Sequence, residues 1–505
     1  MKILIPMSGI GKRFREKGYK NPKYLLEIFE KPILDHILKL FPNEDDLHLI
    51  LNKEDYENSD IINKIKEIIG PKNITIQHIT KHKKGPGHAL LVSGLLDTED
   101  DVFINYCDFS NIWDWEKVKK YINTHQPDGL LPAYKGIHLH TIYGSKYAFI
   151  KEKNGKVEGV KEKEPFTDNP QNEYASTGGY YFSSGNKAKK YIENLFMSES
   201  LINGEAYISS AYDLMVKDGL DVQVYGIDHF FQWGTPEDYE EFKYCMAEYK
   251  TIISGSQLDL MNMNLVLPIA GKGQRFKDEG YVTPKVLLDL NNKPMIEQIL
   301  NKFSNYSAAY ILSSQEIESE IIEIFKKNKK INVSSTPAIT KGQAESALIL
   351  IEKINNEHPI FVQSGDSILG HTDLQNLLSS EIDMAVFTKK NYRRAFTNAN
   401  NFGWVASEND LITETKIKES PGSKNYSMIL GSFWFKNSLI YKTLYNDIAN
   451  GKYKELHIDH MIDAALRRDM QVLEVNIPDT AVIGTPLEYE LSKYSEIVYR
   501  SFDES

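Results

Sequence analysis

"PMSGIGKRFREKGYKNPK", Pro6 to Lys23, follows a short apolar run, and "PIAGKGQRFKDEGYVTPK", Pro268 to Lys285, says nearly the same thing 262 residues later. Nine of the eighteen positions are identical. Each copy reads as a strand, G-x-G-x-R-F, a spacer and then Pro-Lys. A dinucleotide fingerprint needs a third glycine where Phe14 and Phe276 stand. A Walker A loop needs Ser or Thr after Gly11-Lys12, where Arg13 stands, and its first glycine is missing as well. Gly9 and Gly11, like Gly271 and Gly273, let backbone N–H groups close on an anion without Cβ obstruction. Arg13 and Arg275 supply planar donor forks, and Lys23 and Lys285 mobile point charges. A lone GxG with two cations reads as a solvated turn. A second copy with Arg and Lys at identical offsets reads as function.

The repetition runs the length of the chain. "KGPGHALLV" from Lys84 is echoed by "KGQAESALI" from Lys341, and "VFINYCDF" ending near Asp108 by "IFVQSGDS" around Asp366. "YASTGGYYF" from Tyr174 answers "YSMILGSFWF" from Tyr426, and "WGTPEDYEEF" from Trp233 answers "IGTPLEYELS" from Ile483. A period near 250 residues is a tandem of whole domains rather than a solenoid. The expected division is 1–254 and 262–505 with a linker at 255–261. Within a copy, "KILIP", "LHLILN", "ITIQHI" and "DVFINY" read as buried strands, and "PILDHILKLF" and "DIINKIKEII" as amphipathic helices. That alternation predicts an α/β fold with a mixed, mostly parallel sheet in each copy. Ligands then bind beyond the carboxyl ends of the strands, where the Gly-rich phrase and Asp108 both fall.

Composition narrows the classes. The chain has 505 residues, 41% hydrophobic and 26% charged, as an ordinary globular protein does. A net charge of −11 argues against a nucleic-acid binder. Two cysteines, Cys107 and Cys245, make no disulfide framework and point to a reducing cytoplasm. No apolar run is long enough for a membrane helix, and "MKILIPM" reads as a first strand rather than a signal peptide. Cys107 reads as a buried thiol, Trp113 and Trp115 as packing at a helix start, and "HIDH" (His457–His460) as a helix surface.

The combination of G-x-G-x-R with Pro-Lys resembles the sugar-phosphate nucleotidyltransferases, or nucleotide-sugar pyrophosphorylases. "RFREKGYKNPK" and "GTPEDY" look like members of bacterial capsule and surface-polysaccharide systems. The resemblance implies two tandem Rossmann-like, GT-A-like domains, Mg²⁺, and NTP plus a sugar phosphate giving an NDP-sugar and pyrophosphate. A phosphate nucleophile is already ionised at neutral pH, so no general base is required. By resemblance, Arg13, Lys23, Arg275 and Lys285 hold the triphosphate, and Met7, Ser8 and Gly9 lie against the base and ribose. Gly85 and Gly87 form the second nucleotide loop, answered by Gly342, Gln343 and Ala344. Asp108 and Asp366 match the metal aspartate. "KEKEP" at Lys161 resembles the acceptor motif, making Glu162 a sugar ligand and Lys163 a phosphate ligand. Gly144 and Gly178 stand where backbone contacts to the acceptor are usual.

Both copies depart from that pattern. The second metal aspartate is replaced by Gln232 and Val482, so either one carboxylate suffices with substrate phosphates or Asp228 and Asp479 substitute. At the acceptor motif the second copy reads "KIKES", keeping Lys418 but placing Ile417 where the first has Glu162, and "GTPLEY" reads as lacking the acidic pair Glu237-Asp238. The first expectation is therefore two sites with different acceptors. The rivals are a cytidylyltransferase acting on a non-sugar phosphate and one catalytic copy beside a nucleotide-sensing copy. A glycosyltransferase would need an Asp-x-Asp element that "CDFSN" and "GDSIL" lack. The expected ligands are an NTP and a phosphorylated small molecule, and a homo-oligomer is left open.

Overall fold

The computed structural model describes residues 1–82, 84–136, 147–197, 204–337, 340–374, 377, 381–422, 425–451 and 453–503. The chain forms two compact units, Met1–Tyr244 with Ser501–Ser505, and Cys245–Arg500. These bounds differ from the sequence repeat. Glu248 belongs to the second unit, where it pairs with Lys389 (3.1 Å) and Arg394 (2.8 Å). Phe502 belongs to the first, its ring stacked on Phe29 with centroids 5.1 Å apart. The expected linker contains a short strand, Leu258–Asp259, parallel to Phe303–Ser304.

The first unit is built on a ten-stranded sheet. Its parallel part is 74–79, 47–52, 2–6 and 102–105 in spatial order. Beyond that lie 179–182, 129–134, 222–226, 156–162, 148–153 and 174–176. Only one further pairing there, 222–226 with 129–134, is parallel. The second unit repeats the plan in nine strands, with 331–336, 308–314, 264–268 and 360–363 as its parallel part.

The sheets are mixed, but they are not mostly parallel. Among the described residues the first sheet has four parallel against six antiparallel pairings. The excess comes from hairpins such as Ala148–Lys153 with Lys156–Glu162, whose turn residue Asn154 has φ of 53°. Two-residue turns join antiparallel neighbours, and a period of β and helical runs does not show them. One strand of the second unit, Ser427–Phe435, runs unbroken through Gly431 at φ 74°. The first unit splits the matching run into Tyr174–Ser176 and Gly179–Phe182 around Gly178 at φ 96°.

Both cores are filled from these strands and the helices on them. Leu4, Ile104 and Phe182 pack with Tyr212 and Met215 in the first, and Val266, Val362 and Phe433 with Tyr441 and Met461 in the second. Parallel strands Lys2–Pro6 and Val102–Asn105 end side by side. The Gly-rich phrase and Asp108 therefore emerge at one edge, and Asn264–Pro268 and Ile360–Gln363 do the same for the second unit.

Candidate functional site

The loop after the first strand turns into a short helix, Lys12–Glu16, through Gly11 at φ 63°, and its counterpart Gln274–Asp278 starts from Gly273 at φ 60°. Only glycine adopts that backbone without strain, which explains the second glycine of each phrase. The first is different. A Cβ added at Gly9 or Gly271 would meet nothing within 4 Å, so packing inside the unit does not demand glycine there. Met7 and Ser8 are buried, and Ser8 Oγ lies 3.4 Å from His82 Nε2. Arg13 and Arg275 are both exposed on their short helices.

Several identical residues of the phrase are structural. Phe14, Tyr19 and Tyr239 form an edge-to-face triangle with centroids 5.4, 5.8 and 6.2 Å apart. Phe276, Tyr281 and Tyr489 form the same triangle at 5.3, 5.9 and 6.2 Å. Tyr239 donates to the Glu27 carbonyl (2.9 Å) and Tyr489 to that of Asp289 (2.8 Å). The triangle ties the opening phrase to the helix after the G-T-P turn and sets the angle at which the Pro-Lys segment leaves it.

That angle carries Lys23 to the strand end. Its ammonium donates to Asp108 Oδ2 at 2.6 Å, and Lys285 pairs with Asp366 in the second unit. Burial works against the Lys23 charge, but Asp108 outweighs it and holds the amine above its ordinary range. Arg13 stands close enough to oppose this. The G-T-P turn closes the back of the site. Trp233 N–H donates to the Asp108 carbonyl (2.7 Å) and Ile483 N–H to that of Asp366 (2.8 Å). A Cβ at Gly234 would stand 3.2 Å from Asp108 Oδ2, and one at Gly484 3.5 Å from Asp366 Cβ. Asp238 and Glu488 occupy matching places, each hydrogen-bonded to the threonine of its turn, so the second copy does keep one acid after its G-T-P turn.

The second loop packs by backbone. In the first unit Ala206 N–H donates to the Lys84 carbonyl (3.2 Å), and in the second Leu456 N–H donates to that of Lys341 (2.7 Å). A Cβ at Gly85 or Gly87 would crowd the Ala206 carbonyl at 3.1 and 3.2 Å, and one at Gly342 would overlap the backbone of Leu456. Gln343 begins the helix Gln343–Ile351, and Ala344 is buried. Gly204–Tyr207 ("GEAY") and the counterpart segment at Glu455 are what these loops hold.

At the expected acceptor motif, Lys163 and Lys418 end matching hairpins in the left-handed region, φ 62° and 54°, and each donates its N–H to a carbonyl at 3.0 Å, Tyr147 or Phe402. Lys163 Nζ donates to Tyr207 Oη (2.8 Å), which donates to Glu205 (2.7 Å). Lys418 Nζ lies 3.3 Å from Glu455, and His457 3.2 Å from the same carboxylate. Glu162 accepts from Ser209 Oγ at 2.6 Å, and burial pushes its carboxyl up. A Cβ at Gly178 would stand 3.1 Å from the Phe109 ring and 3.2 Å from that of Tyr106, and Gly144 lies outside the described residues.

Two expectations need correction. "HIDH" is not a helix surface: His460 is 9% exposed and stacked on Tyr453, and burial, then His457 and Lys418, lower it to about 4. The signal was available in its alignment with Tyr207 and Ser209, beside Lys163 and Glu162. Asp228 and Asp479 do not replace the second metal aspartate. They sit past the far ends of the two-stranded pairings 109–112 with 229–232 and 367–368 with 481–482, away from the site aspartates, which in the first unit is roughly 13 Å of strand. Trp113 and Trp115 do pack, donating to Leu40 O and Glu44 Oε1. Cys107 is a buried thiol raised to about 11 by burial. Among the described residues no three acidic, His or Cys side chains converge on a metal position. Asp108 and Asp366 therefore fit Mg²⁺ only as single hard ligands completed by phosphate and water, an ordinary Mg²⁺ arrangement.

With this geometry the chain can be set beside known proteins. Residues 265–488, within the second repeat, match the Nucleotidyl transferase family model. The chain is 25% identical over 255 residues to the bifunctional protein GlmU of Campylobacter fetus subsp. fetus, covering 48% of this chain and 55% of that one. It is 26% identical over 163 residues to the GlmU of Methanocaldococcus jannaschii, covering 32% and 37%. The chain thus spans about half the length of the curated relatives it matches. A nucleoside-diphosphate-sugar pyrophosphorylase from Vibrio cholerae RC9 is similar at 21% identity, over 47% of this chain and 98% of that one, with a TM-score of 0.39. No helix among the described residues is long and apolar enough to cross a membrane.

Proposed function

We propose that the protein transfers a nucleotidyl group from an NTP to a sugar phosphate or similar phosphorylated metabolite, releasing pyrophosphate, in cytoplasmic supply of surface-polysaccharide precursors. Each unit acts as a nucleotidyltransferase domain in tandem. The observation that carries this reading is the matched pair, Lys23 with Asp108 and Lys285 with Asp366, held at equivalent strand ends behind equivalent glycine loops.

The chemistry follows from charge. The lysine gives up its carboxylate for a phosphate oxygen, and Arg13 or Arg275 adds a fork of donors from its exposed helix. Backbone N–H groups beside Gly9 or Gly271 face the triphosphate. Mg²⁺ held by Asp108 or Asp366 supplies neutralisation of the phosphate charge. Lys163 or Lys418 holds the acceptor phosphate, so catalysis is alignment of two anions with screening of their repulsion. The exchange of Glu162 for Ile417 favours different acceptors in the two units, a non-sugar phosphate in the second among them.

The test is a screen of each NTP against a panel of phosphorylated acceptors, recording pyrophosphate, with Lys23→Ala and Lys285→Ala in parallel. Turnover abolished by one or the other substitution assigns it to a unit. Nucleotide binding without pyrophosphate from any pair would instead favour a sensor.

A further inference from the structure

We propose that Asp459 is the acceptor-facing carboxylate of the second unit, supplied from a helix where the first unit supplies Glu162 from a strand. The second unit would then take a phosphate ester that carries a hydrogen-bond donor, a hydroxyl or amine, close to its phosphate. This rests on the nucleotidyl-transfer reading above.

The two acceptor regions correspond position by position in their strand pairing and backbone hydrogen bonds. Glu162 pairs across its hairpin with Ala148, and Ile417 with Gly403. The next residue is Lys163 or Lys418, each left-handed and tied back by the same N–H. On the facing helix, Asp213 accepts from Val160 N–H at 3.1 Å, and Asp463 lies beside Thr415 at the corresponding place. Counting back four residues from each aspartate gives Ser209 and Asp459. Ser209 reaches Glu162 directly (2.6 Å), so this helix position points at the end of the acceptor strand. The second unit has exchanged the pair: serine has become Asp459 on the helix, and Glu162 has become Ile417 on the strand.

The backbone around Asp459 is shaped for a carboxylate. A Cβ at Gly403 would overlap Asp459 Oδ2 and come within 2.9 Å of Ile429, so the alanine of the first unit would push the Asp459 carboxylate out of its present place. An aspartate that merely faced the positive end of its own helix would need no glycine on a neighbouring strand. Burial pushes its carboxyl up to about 6, with Lys418 acting in the opposite sense, so it is charged at neutral pH in a place that costs free energy to charge. Moving the carboxylate from strand to helix changes where a donor must lie relative to the phosphate on Lys418. The two units should therefore rank acceptors differently.

The test uses the full chain carrying Lys23→Ala, so that turnover reports the second unit, with Mg²⁺, each NTP, and glucose 1-phosphate, N-acetylglucosamine 1-phosphate and glycerol 3-phosphate as probes. Asp459→Asn should raise the acceptor KM roughly tenfold or more, the scale of a lost hydrogen bond to a charged group, while NTP affinity measured by titration stays the same. Gly403→Ala should do likewise by displacing the carboxylate, and Asp459→Ser with Ile417→Glu should shift the acceptor ranking towards that of the first unit. An unchanged acceptor KM in Asp459→Asn overturns the inference, as does failure of every probe to turn over in a protein that binds NTP. Loss of NTP binding itself, in the protein with both lysines intact, would instead sink the reading on which the inference stands.

Discussion

The regions we propose to hold the nucleotide are near copies in the two units, whereas those we propose to hold the acceptor have diverged at the level of single side chains. On the nucleotide side the aromatic triangles agree within 0.1 Å per edge, and both lysines pair with the strand-end aspartate. On the acceptor side Tyr207 corresponds to His457, Ser209 to Asp459, and Glu162 to Ile417. A triphosphate presents the same charges to any enzyme of this class, so its clamp has one good solution. Acceptors differ in where their donors lie, and a pocket can follow them by moving one carboxylate between elements without disturbing the fold.

The comparison can be broken most decisively at the clamp. Lys23→Ala and Lys285→Ala should each cut kcat/KM of their own unit by about a hundredfold to a thousandfold, the cost of one charge-stabilising donor in a closed site. Steady-state pyrophosphate release measures both, and a unit insensitive to its lysine is not catalytic. Next come the triangles: Phe14→Ala and Phe276→Ala should each cost about 3 kcal/mol, read from urea unfolding. A large disparity between them would show that the aromatic geometry supports only one unit. A smaller effect separates the acceptor sides. An unfolded His460 takes up a proton near pH 6.5, but the folded one resists until about 4. The second unit therefore loses stability as pH falls through that window, while Ser210 in the first unit imposes no such loss. His460→Gln should gain on the parent chain by on the order of 1 to 2 kcal/mol between pH 7 and pH 4, after allowing for solvent screening. A gap that does not move with pH would refute the buried neutral histidine. Smallest, Tyr239→Phe and Tyr489→Phe should each cost about 1 kcal/mol for one neutral hydrogen bond, and thermal unfolding showing equal losses would confirm that the two turns are built alike.

Much of the nucleotide side is legible in the order of residues. Gly11 and Gly273 announce a left-handed turn, and the fixed distance to Lys23 and Lys285 announces a returning cation. Asp108 and Asp366 follow apolar strands whose ends define the edge. The excess of antiparallel pairing is not legible, because short hairpins carry only turn residues such as Asn154 as their mark. Nor is the use of Phe14 and Tyr19, which read as part of the anion loop and are its scaffold.

The sequence by itself determined the repeat, the α/β alternation and the order of groups along each clamp, because those depend on residue type and local spacing. Only the tertiary structure decided which side chains from distant segments meet. Ile417 read alone is a lost ligand, and "HIDH" read alone is a helix surface. Brought together across a strand and a helix, with glycine at 403 beside them, they put a carboxylate on the helix near Lys418 where the first unit has one on the strand next to Lys163. Spacing along a chain sets direction and reach, but which charges become neighbours is set by packing.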